Sequence, residues 1–296
     1  MDQNPPMATA TTGGRGTRSA SLLVLVSIVS VQGGAALATT LFGEVGPFGG
    51  VFLRSLFGAL VLLAVTRGAL FRLREWPHRD VVLLGFVVAI VNLLFYASLD
   101  RLPLGIAVTL EFVGPLGVAI FGSRRPRDAV WALLAGVGIV LLSDGSGRDI
   151  DPVGVALALS AGVFWALYIL QSARVGALQP GLEGAAAAAA ISVPLVAPFG
   201  LAQGGATIFA PEILAVGLAV GLFSTAVPYA LEMEALRHMR KSVFGVLMSL
   251  EPAVAATIGF LALSQGLSLT EATAIALVVI ASAGALRSAS APAPRD

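Results

Sequence analysis

Arginine and lysine fall almost entirely into alternate gaps between long apolar segments, and this constrains the chain more than any local motif. A bilayer crossing needs about 20 mainly apolar residues. The first half offers windows at Ser21–Leu41, Phe48–Thr66, Asp80–Ser98, Leu104–Phe121 and Ala129–Ser143. The second half offers Pro152–Gln171, Glu183–Gln203, Pro211–Met233, Ser242–Leu263 and Thr270–Leu286. With the amino terminus in the cytoplasm, fifteen of the eighteen basic residues are cytoplasmic, clustered at Arg67–Arg79, Arg124–Arg127 and Arg237–Lys241. Only Arg101 and Arg148 lie outside, and Arg54 lies within the second window. Cytoplasmic loops carry the Lys/Arg excess. Shifting the count by one helix would scramble the pattern, so the number of crossings and the orientation support each other.

The composition agrees with an all-α membrane protein of ten transmembrane helices. Hydrophobic residues make up 57 % of the chain and charged ones 12 %, against about 25 % charged in a soluble domain. The fifth window is short. The seventh is weak, because Ala185–Ala190 is a run of alanine with little transfer free energy. Residues 1–19 and 288–296 read as disordered cytoplasmic tails, flanking halves at 20–147 and 148–287. Arg15, Arg18 and the sequence Ala36-Leu37-Ala38 mimic a secretory signal, but the long first window and the nine that follow favour an uncleaved helix. The absence of cysteine excludes disulfides, thiolate catalysis and zinc–sulfur sites. The gaps are short, and no glycine-rich phosphate loop ending in Lys-Ser or Lys-Thr occurs. ATP-driven transport by this chain alone, a ligand-binding ectodomain and a nucleic-acid partner are therefore not expected.

Five crossings per half insert the second half upside down relative to the first. Leu99, Leu102 and Pro115 recur as Leu236, Met239 and Pro252 at an offset of 137. Two inverted five-helix repeats with kinked helices, holding substrate at the midplane, are a recurring transporter design.

Polar groups at depth each need a reason, because an ionisable side chain in hydrocarbon costs ~3 kcal/mol or more. Glu111 and Glu251 sit near the centres of their windows, Arg54 somewhat outside the centre of its own, and Glu232 about a turn from the inner end of the eighth. Pro115, Pro228 and Pro252 cannot donate to the carbonyls of Glu111, Ser224 and Met248. Backbone freed at that depth must face protein or a wet cavity. Asn92 and Tyr96 are spaced four apart; Trp165, Tyr168 and Gln171 step by three, and Tyr229 lies three before Glu232. Gln32 stands beside Gly33 and Gly34. Such a set suits a small zwitterion, with Arg54 meeting a carboxylate, Glu111 an ammonium, and amide and aromatic groups the wall.

Plainer roles compete. Glu111 and Arg54 could form a structural ion pair, and Glu251 could bond backbone opened by its own proline. Glu232 and Glu234 could be interfacial groups neutralised by Arg237. Trp165 and Tyr168 could be packing residues. Gly217 and Gly221 form a small-xxx-small pair that offers either helix packing or a homodimer interface. An intramembrane enzyme fares poorly, since the spans contain neither His nor Cys to build a nucleophile–base or metal arrangement.

Several stretches are familiar together: Val31-Gln32-Gly33-Gly34-Ala35-Ala36-Leu37-Ala38, Leu102-Pro103-Leu104-Gly105, Leu110-Glu111-Phe112, Gly114-Pro115-Leu116 and Ser123-Arg124-Arg125-Pro126. The second half adds Ser224-Thr225-Ala226, Pro228-Tyr229, Leu231-Glu232-Met233 and Glu251-Pro252-Ala253. Through them the chain, over about residues 21–286, resembles the EamA family of the drug/metabolite transporter superfamily. The resemblance implies a ten-helix exporter in the bacterial cytoplasmic membrane, with both termini inside and no cofactor. It implies outward movement of small amino acids of the threonine/homoserine kind in exchange for protons, with broader drug or metabolite efflux as the alternative. Glu234 and the alanine run depart from the exporter pattern. The substrate-binding set expected from depth and spacing is Gln32, Arg54, Asn92, Tyr96, Glu111, Trp165, Tyr168 and Tyr229. The proton-coupling set is Glu111, Glu251 and Glu232. A carboxylic acid in a poorly hydrated cavity holds its proton more tightly than one in water, which suits such groups to proton exchange.

Overall fold

A computed structural model describes residues 13–67, 78–123, 129–144, 150–178, 182–239 and 241–290. The expectations for residues 1–12 and 291–296, the arginines at 72, 74, 124, 125, 127, 148, 240 and 295, and most of the Ser123–Pro126 motif lie outside them. Nine helices are long and apolar enough to cross a membrane: α1 (Ser19–Thr39), α2 (Phe42–Val65), α3 (Arg79–Leu99), α4 (Leu104–Phe121), α6 (Pro152–Leu178), α7 (Glu183–Phe209), α8 (Pro211–His238), α9 (Val243–Leu263) and α10 (Leu269–Arg287). The shorter apolar helix α5 (Ala129–Leu142) completes ten among the described residues.

Several helices outrun the apolar windows, because helical hydrogen bonding continues past the hydrocarbon until the chain itself interrupts it. The α1 backbone is helical from Gly13, within the segment expected as tail, and α10 continues to Ser290. Helix α2 begins at Phe42 rather than Phe48 and is kinked at Gly46, whose φ of 69° lies in the left-handed region open to glycine. Helix α6 runs on to Leu178, two residues short of Pro180.

Three interruptions within spans, in α4, α8 and α9, fall where proline removes a backbone donor. Helix α4 breaks at Phe112, between Leu104–Glu111 and Val113–Ser123. Helix α9 breaks at Ser249 and Leu250, between Lys241–Met248 and Glu251–Leu263. The two breaks stand in the same register as Pro115 and Pro252. In α8, Leu222–Ala226 forms a π-turn just ahead of Pro228, and the Ser30 hydroxyl donates to the Phe223 carbonyl at 2.7 Å.

The packing follows a two-fold exchange of α1–α5 with α6–α10. Helix α2 packs on α7, α4 on α9 and α5 on α10; α1 packs on α8 as α6 packs on α3, and α1 on α9 as α6 on α4. Glycines permit the closest crossings. A Cβ on Gly162 would fall 2.6 Å from the Glu111 carbonyl oxygen, the oxygen that Pro115 leaves unpaired, so the α6 backbone covers it. A Cβ on Gly217 would meet Leu53 and one on Gly221 would meet Phe57. That small-residue pair therefore seats α8 on α2 within one chain.

The two ends of the bundle differ. The end carrying Arg67, Arg79, Arg174, Arg237 and Arg287 is the arginine-rich end; the other carries the α1–α2, α3–α4, α7–α8 and α9–α10 links. Towards that far end an apolar core seals the bundle, with Ala38, Val45, Leu53, Leu104 and Ile208 fully buried.

Candidate functional site

A cavity of about 420 Å³ runs from mid-bundle towards the arginine-rich end, inside the range of small-molecule sites, about 300–1,000 Å³. Nine of the ten expected site residues line it. Gln32 comes from α1, Arg54 from α2, Asn92 from α3 and Glu111 from α4; Trp165 and Tyr168 come from α6, Tyr229 and Glu232 from α8, and Glu251 from α9. Both repeats therefore contribute. Glu111 and Glu251 are buried at 8 % and 5 % exposure.

Arg54 is the cationic centre of this wall. Its Nη1 donates to Asn92 Oδ1 at 2.9 Å, and Asn92 is in turn oriented by donating Nδ2 to the Val88 carbonyl at 2.9 Å. Its Nη2 reaches the Ser224 carbonyl at 3.5 Å. That is the acceptor freed by Pro228, opened further by the π-turn. Among the described residues the side-chain ion pairs are Arg101–Asp151 and Arg237–Glu234, with His238 3.5 Å from Glu234. None includes Arg54, so it forms no direct salt bridge with Glu111.

Tyr96 stands behind the wall rather than on it. Its ring is fully buried, 5.6 Å beneath the Arg54 guanidinium carbon, between Phe42 and Phe95. Spacing put it on the Asn92 face, but a tyrosine one turn nearer the far end falls within the sealed core. Gln171 also leaves the expected aromatic stripe: its Nε2 donates to the Asp80 carbonyl and carboxylate at 3.1 and 2.9 Å, tying α6 to α3.

The remaining polar groups are held in place by contacts between helices, some across the repeats and some within the second. Ser27 donates to Glu232 Oε1 at 2.6 Å, while Arg237 pairs with the exposed Glu234 instead. The Tyr168 and Tyr229 hydroxyls share a hydrogen bond of 2.7 Å. Trp165 stands edge-on to Phe112, beside the α4 break, at 5.4 Å. Sequence reasoning missed Ser55, Ser172, Ser192 and Thr225, which also line the cavity. A hydroxyl recurring at helical spacing inside an apolar span was the available signal.

Ten helices in two inverted halves around a polar cavity closed at one end define a membrane carrier. Residues 152–287 match the EamA-like transporter family. The threonine/homoserine exporter RhtA of Escherichia coli (strain K12) is 41 % identical over 266 residues, covering 89 % of this chain and 90 % of that protein. The RhtA protein of Salmonella typhimurium (strain LT2) matches to the same extent. The uncharacterized transporter YwfM of Bacillus subtilis (strain 168) is 29 % identical over 240 residues, 78 % of this chain and 81 % of that one. A crystal structure of a protein 22 % identical superimposes with a TM-score of 0.64 over 90 % of this chain and 97 % of the other, a likeness of fold. The chain belongs to the EamA-like transporter family, a multi-pass membrane transporter rather than an enzyme.

Proposed function

We propose that this protein exports small amino acids of the threonine/homoserine kind from the bacterial cytoplasm by alternating access, in exchange for protons. The observation that carries the reading is an arginine without a carboxylate partner, Arg54, in the same mid-bundle cavity as the buried Glu111 and Glu251. A guanidinium fork is matched to an α-carboxylate, and a carboxylate to the α-ammonium. The zwitterion supplies a counter-charge to each of these groups. The RhtA relatives bear the same substrates in their name.

With the arginine-rich end in the cytoplasm, as the positive-inside pattern requires, the open cavity is the loading state. Substrate ammonium displaces the Glu111 proton inwards. The bundle then closes on the inner side and opens on the outer, substrate leaves, and a proton returns to Glu111. Glu232 and Glu251 extend the acidic wall along which the proton travels. Both termini lie in the cytoplasm in this arrangement.

Efflux of labelled threonine and homoserine from cells expressing the wild type, Glu111→Gln or an empty vector tests the reading. Faster efflux from wild-type cells, with loss of uphill export in Glu111→Gln, is expected. Efflux equal to the empty vector would reject these substrates, and unimpaired uphill export by Glu111→Gln would remove that carboxylate from the coupling step.

A further inference from the structure

The alanine run of α7 has no evident purpose in a membrane span, where larger apolar residues bring more transfer free energy. Its placement supplies one. Ala186 and Ala187 are fully buried, and the helix lies so close to α3 that a Cβ on Gly85 would fall 2.9 Å from the Ala188 carbonyl oxygen. Ala185, Ala188 and Ala189 line the cavity.

The cavity wall built by α2, α3 and α7 changes character with depth in the same way on each helix. Stepping by four residues towards the arginine-rich end, α2 presents Arg54, Gly58 and Leu62, and α3 presents Asn92, Val88 and Leu84. On α7 the same step runs from Ser192 through Ala188 to Gly184. Each series begins polar at mid-bundle and turns apolar or bare nearer the mouth. Leu62, Leu84, Val175 and Ala188 join in one apolar cluster, with Val88 and Ala189 packed against it. The opposite wall, from α8, keeps Tyr229 and Glu232 at comparable depth. The result is a charged pocket adjoining an apolar recess whose width is set by methyl groups.

We infer that this α7 face, with Ala189 at its centre, is the side-chain subsite, and that it admits amino acids whose aliphatic side chains are larger than that of threonine. The inference rests on the proposed function, which puts the α-carboxylate and α-ammonium on Arg54 and Glu111. A zwitterion held there points its side chain into the recess. The apolar recess contributes transfer free energy for each carbon it covers, and the small α7 residues leave room for those carbons. Leucine is the probe, with a hydrocarbon side chain and no hydroxyl. Steric discrimination by one or two carbon atoms in an apolar pocket amounts to about tenfold or more.

The test measures efflux of labelled leucine and labelled threonine from cells expressing the wild type, Ala189→Leu, Ala189→Gly or an empty vector, each normalised to the amount of protein in the membrane. Wild-type cells should export leucine as well as threonine. Ala189→Leu should lower the leucine-to-threonine ratio at least about tenfold, and Ala189→Gly should leave that ratio the same or higher. Leucine efflux at the empty-vector rate while threonine is exported overturns the inference, with no variant needed. An Ala189→Leu ratio equal to wild type overturns it too, and in both cases the proposed function stands. Wild-type cells that export neither amino acid defeat the proposed function, and the inference falls with it.

Discussion

The Arg54 guanidinium donates to Asn92 Oδ1 at 2.9 Å, and this neutral amide, not a carboxylate, is its side-chain partner at mid-bundle. A cation at this depth satisfied by an amide, one backbone carbonyl and the face of Tyr96 keeps its charge uncancelled, as the proposed carboxylate-binding role needs. A structural ion pair would have cancelled that charge within the protein.

Arg54→Gln should therefore weaken substrate binding without stranding a buried counter-charge. Hydrogen bonds to charged groups contribute about 1.5–3 kcal/mol, so the apparent KM for threonine in inside-out vesicles should rise about 10- to 150-fold. Arg54→Lys, which keeps the charge and loses the fork, should fall between. An unchanged KM in Arg54→Gln would take this residue out of the site.

Alternating access requires the far end to open, and three contacts between the halves hold it shut. Gln203 Oε1 accepts from the Phe48 amide at 2.8 Å, Gln265 Oε1 from the Leu104 amide at 3.0 Å, and Arg101 pairs with Asp151 at 2.6 Å. The double variant Gln203→Ala with Gln265→Ala should shift the population towards the outward-open state. The chain has no cysteine, so a single Ala38→Cys in the sealed core is a clean reporter. Reaction with a membrane-impermeant maleimide from outside should be several-fold faster in the double variant. Equal rates would mean that these amides do not hold the gate.

Two glycine-to-alanine changes should have opposite signs. At Gly162 the new methyl meets the Glu111 carbonyl and would push α6 away from the α4 break, costing about 1–3 kcal/mol. At Gly136 nothing lies within 4 Å of the added carbon, so Gly136→Ala should be neutral or stabilise by up to about 1 kcal/mol through helix propensity. Thermal unfolding in detergent, measured side by side, checks the contrast; similar shifts in both would contradict the close α4–α6 crossing.

Asp151 lies outside the spans, and the Arg101 hydrogen bond, with help from the Val153 amide, holds its carboxyl below the usual carboxylate range. Because the folded-state value is depressed, the stabilisation is fully present above the unfolded carboxylate value of about 3.9. It is lost as pH falls through the lower folded-state value. The thermal stability difference between wild type and Asp151→Asn should therefore be flat from pH 5 to 8 and close only at strongly acidic pH. The exposed setting keeps the effect small. A difference that varies between pH 6 and 8 would assign the contact a different origin.

Much of the site was legible because depth and residue type are local properties. Glu111, Arg54, Glu232 and Glu251 stand out against hydrocarbon wherever the helices finally pack, and Pro115, Pro228 and Pro252 announce their free carbonyls. Helix rotation and neighbours were less legible. Tyr96 and Gln171 have the right spacing, yet one supports Arg54 from behind and the other ties down Asp80. The Gly217–Gly221 pair read first as helix packing and second as an intermolecular surface, and only the packed bundle shows α2 in its groove.

What the chain determined alone is the set of ten apolar helices, their breaks and the depth of each charged group, since hydropathy and a missing proline donor act within one segment. Only the tertiary structure decided which faces meet, which end is sealed, and that an alanine run becomes a cavity wall. Those outcomes depend on how closely helices distant in sequence approach one another, and that distance is set by pairs of residues, such as Gly162 with Glu111 or Gly85 with Ala188, that no single segment contains.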